Sequence, residues 1–373
     1  METAAPGYSR PRQVAPLNIV TEQTIETACP GATIAPWQDA PHRHPSWGPW
    51  YQTLSGHSSD ETIRHAASSG GALSALLIVA LETGLVERVL HVMADPDHPT
   101  RNIMTWSESA SDIIENAGSR YAASSPLALI ENALQDGRKF AFVGKPCDVS
   151  ALRQLARTDD RVASQVPIML SFFCGGVPSH AGADRIVTAM GLKPNDLVEF
   201  RYRGNGWPGM TRAVTAGGHV GEMRYADSWG RYLSSEVQFR CKICPDSVGG
   251  VADIACADAW YGGESGYPQF EEQAGRSLIM TRTSVGEALL NRAIQMRALV
   301  TEPLGIANVD LMQPAQARRK RLVAARLMAS AILGQPRPQT RGLDIGTASR
   351  AASWKEQWQN FAGTARRIMM GLR

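Results

Sequence analysis

Two cysteines three positions apart and followed at once by proline, in Cys241-Lys242-Ile243-Cys244-Pro245-Asp246, constrain this chain more than any other stretch. Their thiolates can share one metal or cluster, and the proline stops the backbone from continuing as regular structure beside it. A pair is half a ligand set, so the fold must bring further donors to the same place. Two other cysteines stand in matching company: Cys147 in Gly144-Lys145-Pro146-Cys147 and Cys174 in Phe172-Phe173-Cys174-Gly175-Gly176. Four soft ligands drawn from three segments suit an iron–sulfur cluster better than a disulfide. Cys-x-x-Cys alone is shared by zinc sites, thioredoxin-like redox pairs and cluster ligands. Its late position, between expected antiparallel strands and a glycine-rich turn, is unlike the thioredoxin arrangement.

The remaining cysteines read differently. Cys256 sits in the apolar run Ala255-Cys256-Ala257 and is expected in the core, the usual place of a free cysteine. Cys29, before Pro30-Gly31, has no companions nearby and is expected in a loop. Cys147 and Cys174 could equally be small buried hydrophobes at strand ends. Six cysteines in 373 residues are too sparse for a disulfide scaffold and fit a reducing compartment.

At roughly 100–200 residues per domain, the length predicts two domains with extra segments. Met1 to Val20 carries no apolar signal core, and the longest apolar run, Ala72 to Leu81, falls short of the roughly 20 residues that span a bilayer. A soluble, cytoplasmic chain is expected. The net charge of +3 conceals an asymmetry: residues 315–373 hold twelve Lys and Arg against two acids, a surplus of ten, which leaves −7 on the remainder. Such a tail suits something acidic, whether a membrane surface, a protein partner or nucleic acid, or is an ordinary solvated helical face. Trp354, Trp358, Phe361, Ile368 and Leu372 fall near one helical face with Arg366, Arg367 and Arg373 close by, a pattern shared by membrane-surface helices and by packed ones.

Along the chain, residues 1–59 offer no sustained period and read as a loop-rich arm. Ser68-Ser69-Gly70-Gly71 leads into a helix over 72–84. Strands are expected over 86–93, 139–143 and 166–173, with helices over 109–116, 127–135, 149–156 and 179–190, so the class is mixed α/β. Cys147 and Cys174 thereby fall at the carboxyl ends of two strands, where open α/β sheets collect ligands. Residues 197–202, 211–216 and 221–225 resemble antiparallel strands, and 303–307 an extended connection. The domain boundaries read as 1–59, 60–143, 144–314 and the basic helical tail 315–373.

Two glycine-bearing turns are candidates for holding a cofactor. Ser68 to Gly71 precedes a helix, where free amides and the positive dipole end can receive a phosphate. Arg201-Tyr202-Arg203-Gly204-Asn205-Gly206-Trp207-Pro208-Gly209 is richer in glycine, aromatic and guanidinium than a turn requires, and fits either a hairpin with an aromatic plug or a loop against a planar cofactor. Neither is a P-loop or a complete Gly-x-Gly-x-x-Gly fingerprint. No catalytic triad suggests itself among the scattered histidines, as expected where a flavin carries the chemistry.

The ordered set Ala67-Ser68-Ser69-Gly70-Gly71, Gly118-Ser119-Arg120-Tyr121, Gly144-Lys145-Pro146-Cys147-Asp148, Phe173-Cys174, Tyr202 to Gly209, Cys241 to Asp246 and Ala252-Asp253-Ile254 resembles the coenzyme F-420 hydrogenase/dehydrogenase beta-subunit family, which includes the plant 7-hydroxymethyl chlorophyll a reductase. The likeness runs over about residues 45–310. It implies an iron–sulfur flavoprotein oxidoreductase holding FAD and one 4Fe-4S cluster, which passes electrons between a ferredoxin or partner subunit and a hydride-accepting small-molecule substrate. Carried over by position, Cys147, Cys174, Cys241 and Cys244 would hold the cluster; Ser68, Ser69, Gly70, Gly71, Lys145, Asn205, Gly206 and Trp207 would face the flavin. Many members begin with a Cys-x-x-Cys-x-x-Cys module of which only Cys29-Pro30-Gly31 remains here, so a second cluster is not expected. The rival expectations are a non-catalytic accessory subunit that keeps the fold, and zinc at the same four thiolates. No nucleic-acid partner is expected.

Overall fold

The computed structural model describes residues 2–262 and 269–372. Its centre is an eight-stranded mixed sheet. In chain order the strands are β1 (Thr53–Ser58), β2 (Arg88–Ala94), β3 (Asn102–Ser107), β4 (Phe140–Val143) and β5 (Ile168–Phe172), followed by β9 (Ile254–Asp258), β10 (Ser277–Thr281) and β11 (Leu299–Pro303). Across the sheet the order is β11-β1-β10-β9-β5-β4-β2-β3. β9, β5, β4 and β2 run parallel, and the outer pairings are antiparallel. Between β5 and β9 the chain makes a separate antiparallel meander, β6 (Leu197–Arg201), β7 (Met210–Thr215) and β8 (Val220–Arg224).

Side-chain alternation builds one core on each face of the main sheet. Ala141, Val143, Ile168 and Leu170 join one apolar cluster, while Phe140, Phe142 and Met169 join the other. Burial on both sides explains why these strands read as continuous apolar runs. The first face is covered by α1 (Ala72–Glu82), whose residues Ala75 to Ala80 are all buried, and by α4 (Ser284–Gln295), through Leu289, Leu290 and Ala293. The second face carries α2 (Pro146–Leu155), through Val149 and Leu152. Helix α3 (His180–Ala189) packs with the meander.

The elements expected over 72–84, 86–93, 139–143, 149–156, 166–173 and 179–190 are present within a few residues of those bounds, as is the meander. The arm and the last third of the chain are more regular than their sequence suggests. The arm holds two short hairpins, the helix Ile19–Ala28 and β1, which is sandwiched between β10 and β11. Thr53-Leu-Ser-Gly-His-Ser58 has no run of β-branched residues, so its pairing partners, not its propensity, make it a strand. The position 143/144, expected as a domain boundary, lies between adjacent members of one sheet: β4 ends at Val143 and pairs with β5.

The basic tail forms α5 (Pro314–Ile332) and α6 (Trp354–Met369), which pack on each other; Gln357 of α6 donates to the Arg321 carbonyl at 2.9 Å. Its apolar residues divide. Ile368 is buried and Phe361 is partly buried, stacked on Trp358 at 5.5 Å, whereas Trp354, Trp358 and Leu372 are exposed. Among the described residues, no helix is long and apolar enough to cross a membrane.

Candidate functional site

The four parallel strands deliver their carboxyl ends to one edge. β4 ends at Val143 and passes through Gly144 and Lys145 into α2, so Cys147 occupies the first turn of that helix. β5 ends at Phe172, one residue before Phe173-Cys174, and β9 ends at Asp258. The Cys174 amide donates to the Ser247 carbonyl at 2.8 Å, which ties the β5 end to the loop that follows Cys244. Cys241 itself lies in the single helical turn Phe239–Lys242.

Three segments thus bring four thiols into one region. Cys174 is within electrostatic reach of Cys241, Cys244 and Cys147. Burial pushes the Cys147 and Cys244 thiols above their ordinary pKa, and that of Cys174 up to about 12. Two backbone amides already aim at sulfur: Gly176 at the Sγ of Cys174 and Val177 at the Sγ of Cys241, each at 3.4 Å. The Arg240 guanidinium lies near Cys147, Cys244, Cys241 and Cys29. Burial opposes its charge, yet the facing thiols hold its pKa above the ordinary value. Its Nη2 is buried without a hydrogen-bond partner.

These features fit a cluster bound through thiolates. Buried thiols resist ionisation, a metal centre takes them deprotonated, and amides and a guanidinium directed at sulfur are the hydrogen bonds that tune such a centre. Among the described residues, no three His, Cys, Asp or Glu side chains converge closely enough to hold a metal ion. Cys256 differs from the four: it lies in β9, and burial alone pushes its thiol up to about 12. Cys29 is exposed, where the loop after helix Ile19–Ala28 begins.

Beside the thiols lies a cavity of about 260 Å³. Cys174 to Val177 form one wall; Ser68, Ser69 and Gly71 to Ser74 form another; Lys145, Asp148 and the stretch Gly118–Ala122 close it. The volume is just below the roughly 300 Å³ at which small-molecule pockets begin. At its edge α1 starts from Gly71, in the left-handed region at φ +75°, with no side-chain cap on the first-turn amides. Amides left free at the positive end of a helix dipole suit the phosphates of a dinucleotide. Lys145 adds a cation: burial opposes its charge, but Asp148 at 2.6 Å and Cys147 hold its pKa above the usual value. Its Nζ also donates to Ser124 Oγ at 2.7 Å.

Gly70 backs this turn instead of lining the cavity. A Cβ there would stand 2.6 Å from the Gly56 carbonyl oxygen of β1 and 2.7 Å from the Ser277 amide of β10. Asn205, Gly206 and Trp207 are likewise absent from the cavity lining. Trp207 is 2% exposed, stacks on Trp260 at 4.8 Å and donates its indole N–H to Asp258 at 2.7 Å. The neighbour that reaches the cavity is Arg203. It pairs with both Asp258 oxygens at 2.9 Å and donates to the Ser68 carbonyl at 2.6 Å. Arg203, Asp258 and Gln313 belong to the site; the glycine-rich loop contains Arg203 but does not set it apart from Arg201, and no motif contains Asp258 or Gln313, since each acts through a partner distant in sequence.

Comparison with known proteins places these observations in a lineage. The model of the coenzyme F420 hydrogenase/dehydrogenase beta subunit N-terminal part matches residues 53–131, and that of the C-terminal part matches residues 137–306. Coenzyme F420 hydrogenase subunit beta of Methanococcus voltae is 26% identical over 305 residues, covering 78% of this chain and 99% of that one. The F420-dependent formate dehydrogenase subunit beta of Methanocaldococcus jannaschii is 27% identical over 253 residues, covering 64% of this chain and 62% of that one. A chain of the F420-reducing nickel–iron hydrogenase complex from Methanosarcina barkeri, solved as a xenon derivative, has the same fold: TM-score 0.60, 20% identity, covering 79% of this chain and 98% of that one.

Proposed function

The chain belongs to the coenzyme F420 hydrogenase/dehydrogenase beta-subunit family of oxidoreductase electron-transfer subunits, and on that premise we propose that it is an iron–sulfur flavoprotein that exchanges single electrons with a partner and hydride with a small-molecule substrate. The observation that carries this reading is that Cys174 is both a wall of the cavity and a member of the four-thiol group. When bound, a 4Fe-4S cluster supplies single-electron transfer and FAD converts pairs of those electrons into hydride transfer.

In this reading Cys147, Cys174, Cys241 and Cys244 hold the cluster, with the Gly176 and Val177 amides and Arg240 as donors to its sulfur. The uncapped start of α1 and the Lys145 ammonium receive the FAD phosphates. Arg203, locked by Asp258, fixes the Ser68 carbonyl and with it the shape of the turn. The relatives named for F420 motivate the deazaflavin as the first substrate to assay. We assign partner contact to the outer stripe of α6, where exposed Trp354, Trp358 and Met369 stand with Lys355 and Arg366. Flotation with anionic vesicles separates this from peripheral membrane contact.

Anaerobic purification tests the reading. The expected product is yellow-brown, with FAD and iron in stoichiometric amounts. Cys244→Ser should abolish the cluster absorbance and leave the flavin spectrum. A colourless protein containing zinc would reject the assignment.

A further inference from the structure

Helix α5 lies wholly beyond residue 306, where the family match ends. Nevertheless its inward face is polar where it meets the cysteine segments. Gln316 donates to the Cys174 carbonyl at 2.9 Å, and Arg319 donates to the carbonyls of Cys174 and Gly175, both at 2.8 Å. Lys320, one turn on from Gln316, donates to the Pro245 carbonyl at 2.9 Å, and Arg326 to the Lys242 carbonyl at 2.8 Å. One helix therefore grips the Cys174 segment and both flanks of Cys244 through their backbones. Gln316 also accepts from Ser247 Oγ at 2.7 Å, and the Ser247 carbonyl is what receives the Cys174 amide.

The charge at this contact exceeds what a brace requires. Glutamine or serine could satisfy the same carbonyls, as Gln316 does. Arg319, Lys320 and Arg326 are cationic side chains that meet carbonyl or amide oxygen, with no carboxylate in an ion pair with any of them among the described residues. The nearby Asp246 carboxylate is engaged by the Val248 and Gly250 amides at 3.1 and 3.0 Å. Lys320 is buried, 4% exposed, with its ammonium 4.1 Å from the centre of the Trp37 ring. Holding unneutralised cations in a protein interior is costly unless an anion compensates them. Four thiolates on an iron–sulfur core carry net negative charge, and that charge increases on reduction.

We propose that α5 is a positioning element of the cluster site, in which Arg319 and Lys320 hold the ligand-bearing loops and raise the reduction potential of the group those loops bind. This inference rests on the cluster reading above. Positive charge fixed beside the ligands stabilises the reduced, more negative state, so removing it lowers the midpoint.

The test is a redox titration of the purified holoprotein, followed by cluster absorbance and electron paramagnetic resonance with iron content measured in parallel. Arg319→Gln, which keeps a donor and removes the charge, should lower the midpoint by about 59 mV, the tenfold change of a one-electron equilibrium. Lys320→Met should act in the same direction. Arg319→Lys keeps the charge and should stay near wild type, as should Arg318→Gln, whose side chain on the same helix is 58% exposed. Full iron content with an unchanged midpoint in both Arg319→Gln and Lys320→Met overturns the proposal, as does an equal shift in Arg318→Gln. Loss of iron from Arg319→Gln and Arg319→Lys alike, with unaltered far-ultraviolet circular dichroism, assigns Arg319 to structure alone and overturns its effect on potential. Wild-type protein without iron instead rejects the cluster reading itself.

Discussion

Arg203 and Asp258 both line the cavity and are paired with each other. The guanidinium is 2% exposed and pairs with both carboxylate oxygens. Burial opposes its charge, but Asp258 overrides this and holds its pKa well above the ordinary value. The same carboxylate accepts from the Trp207 indole, so one anion organises the glycine-rich loop, the cavity and the end of β9. Breaking a buried pair from one side leaves an uncompensated charge. Asp258→Asn should therefore cost about 3–5 kcal/mol in urea unfolding, and should loosen the Ser68 turn that Arg203 holds. In sequence, Arg203 is one of two guanidiniums in a loop and Asp258 one acid in an apolar run. Nothing local distinguishes Arg203 from Arg201, which instead donates to the Ala66 and Ala117 carbonyls at 3.1 Å.

At the scale of an element, α1 shows how a backbone contact dictates a sequence. Its start must lie against the sheet so that uncapped amides reach the cavity, and Gly70 permits this by allowing the β1 and β10 backbones to approach. Gly70→Ala forces the turn away from them and should cost about 1–3 kcal/mol in stability. If the turn receives the FAD phosphates, equilibrium dialysis should record weaker FAD binding by the same variant. The Ser-Ser-Gly-Gly pattern before an apolar helix made this turn legible, because small residues and glycine ahead of an apolar run mark a helix start; no side chain caps it. Helix α5 was legible only as a basic helix. Its arginines and lysine engage backbone carbonyls, which every residue carries, so no pattern marks which loops they serve.

For the molecule as a whole, the two-faced sheet sets how the protein responds to acid. His91, in β2, contacts Ser107 Oγ at 2.6 Å and lies in the cavity lining, where burial lowers its pKa to about 4. In the unfolded chain the imidazole titrates near 6.5. Between those values the unfolded state binds more protons, so the contribution of neutral His91 is complete above about pH 6.5 and is lost as pH falls toward 4, a change of about 3 kcal/mol. His91→Gln should flatten the pH dependence of the urea midpoint across that window relative to wild type. The effect belongs to the global transition, because β2 lies within the central sheet.

The sequence by itself determined the family, the positions of the thiols and glycine turns, and part of the scaffold. Apolar runs buried on both faces marked β2, β4 and β5, and the turns that bear Cys147 and Cys174 follow from where β4 and β5 end. Only the tertiary structure decided the other half of the sheet. β1, β9, β10 and β11 are short, rich in Ser, Thr, Gly and Ala in places, and become strands because neighbours supply their hydrogen bonds. It also decided that Trp207 supports Asp258 behind the cavity wall and that the basic tail turns back onto the cysteine loops. A thiol or a glycine turn advertises itself in four residues, whereas a carbonyl awaiting a guanidinium does so only once the chain has brought the two together.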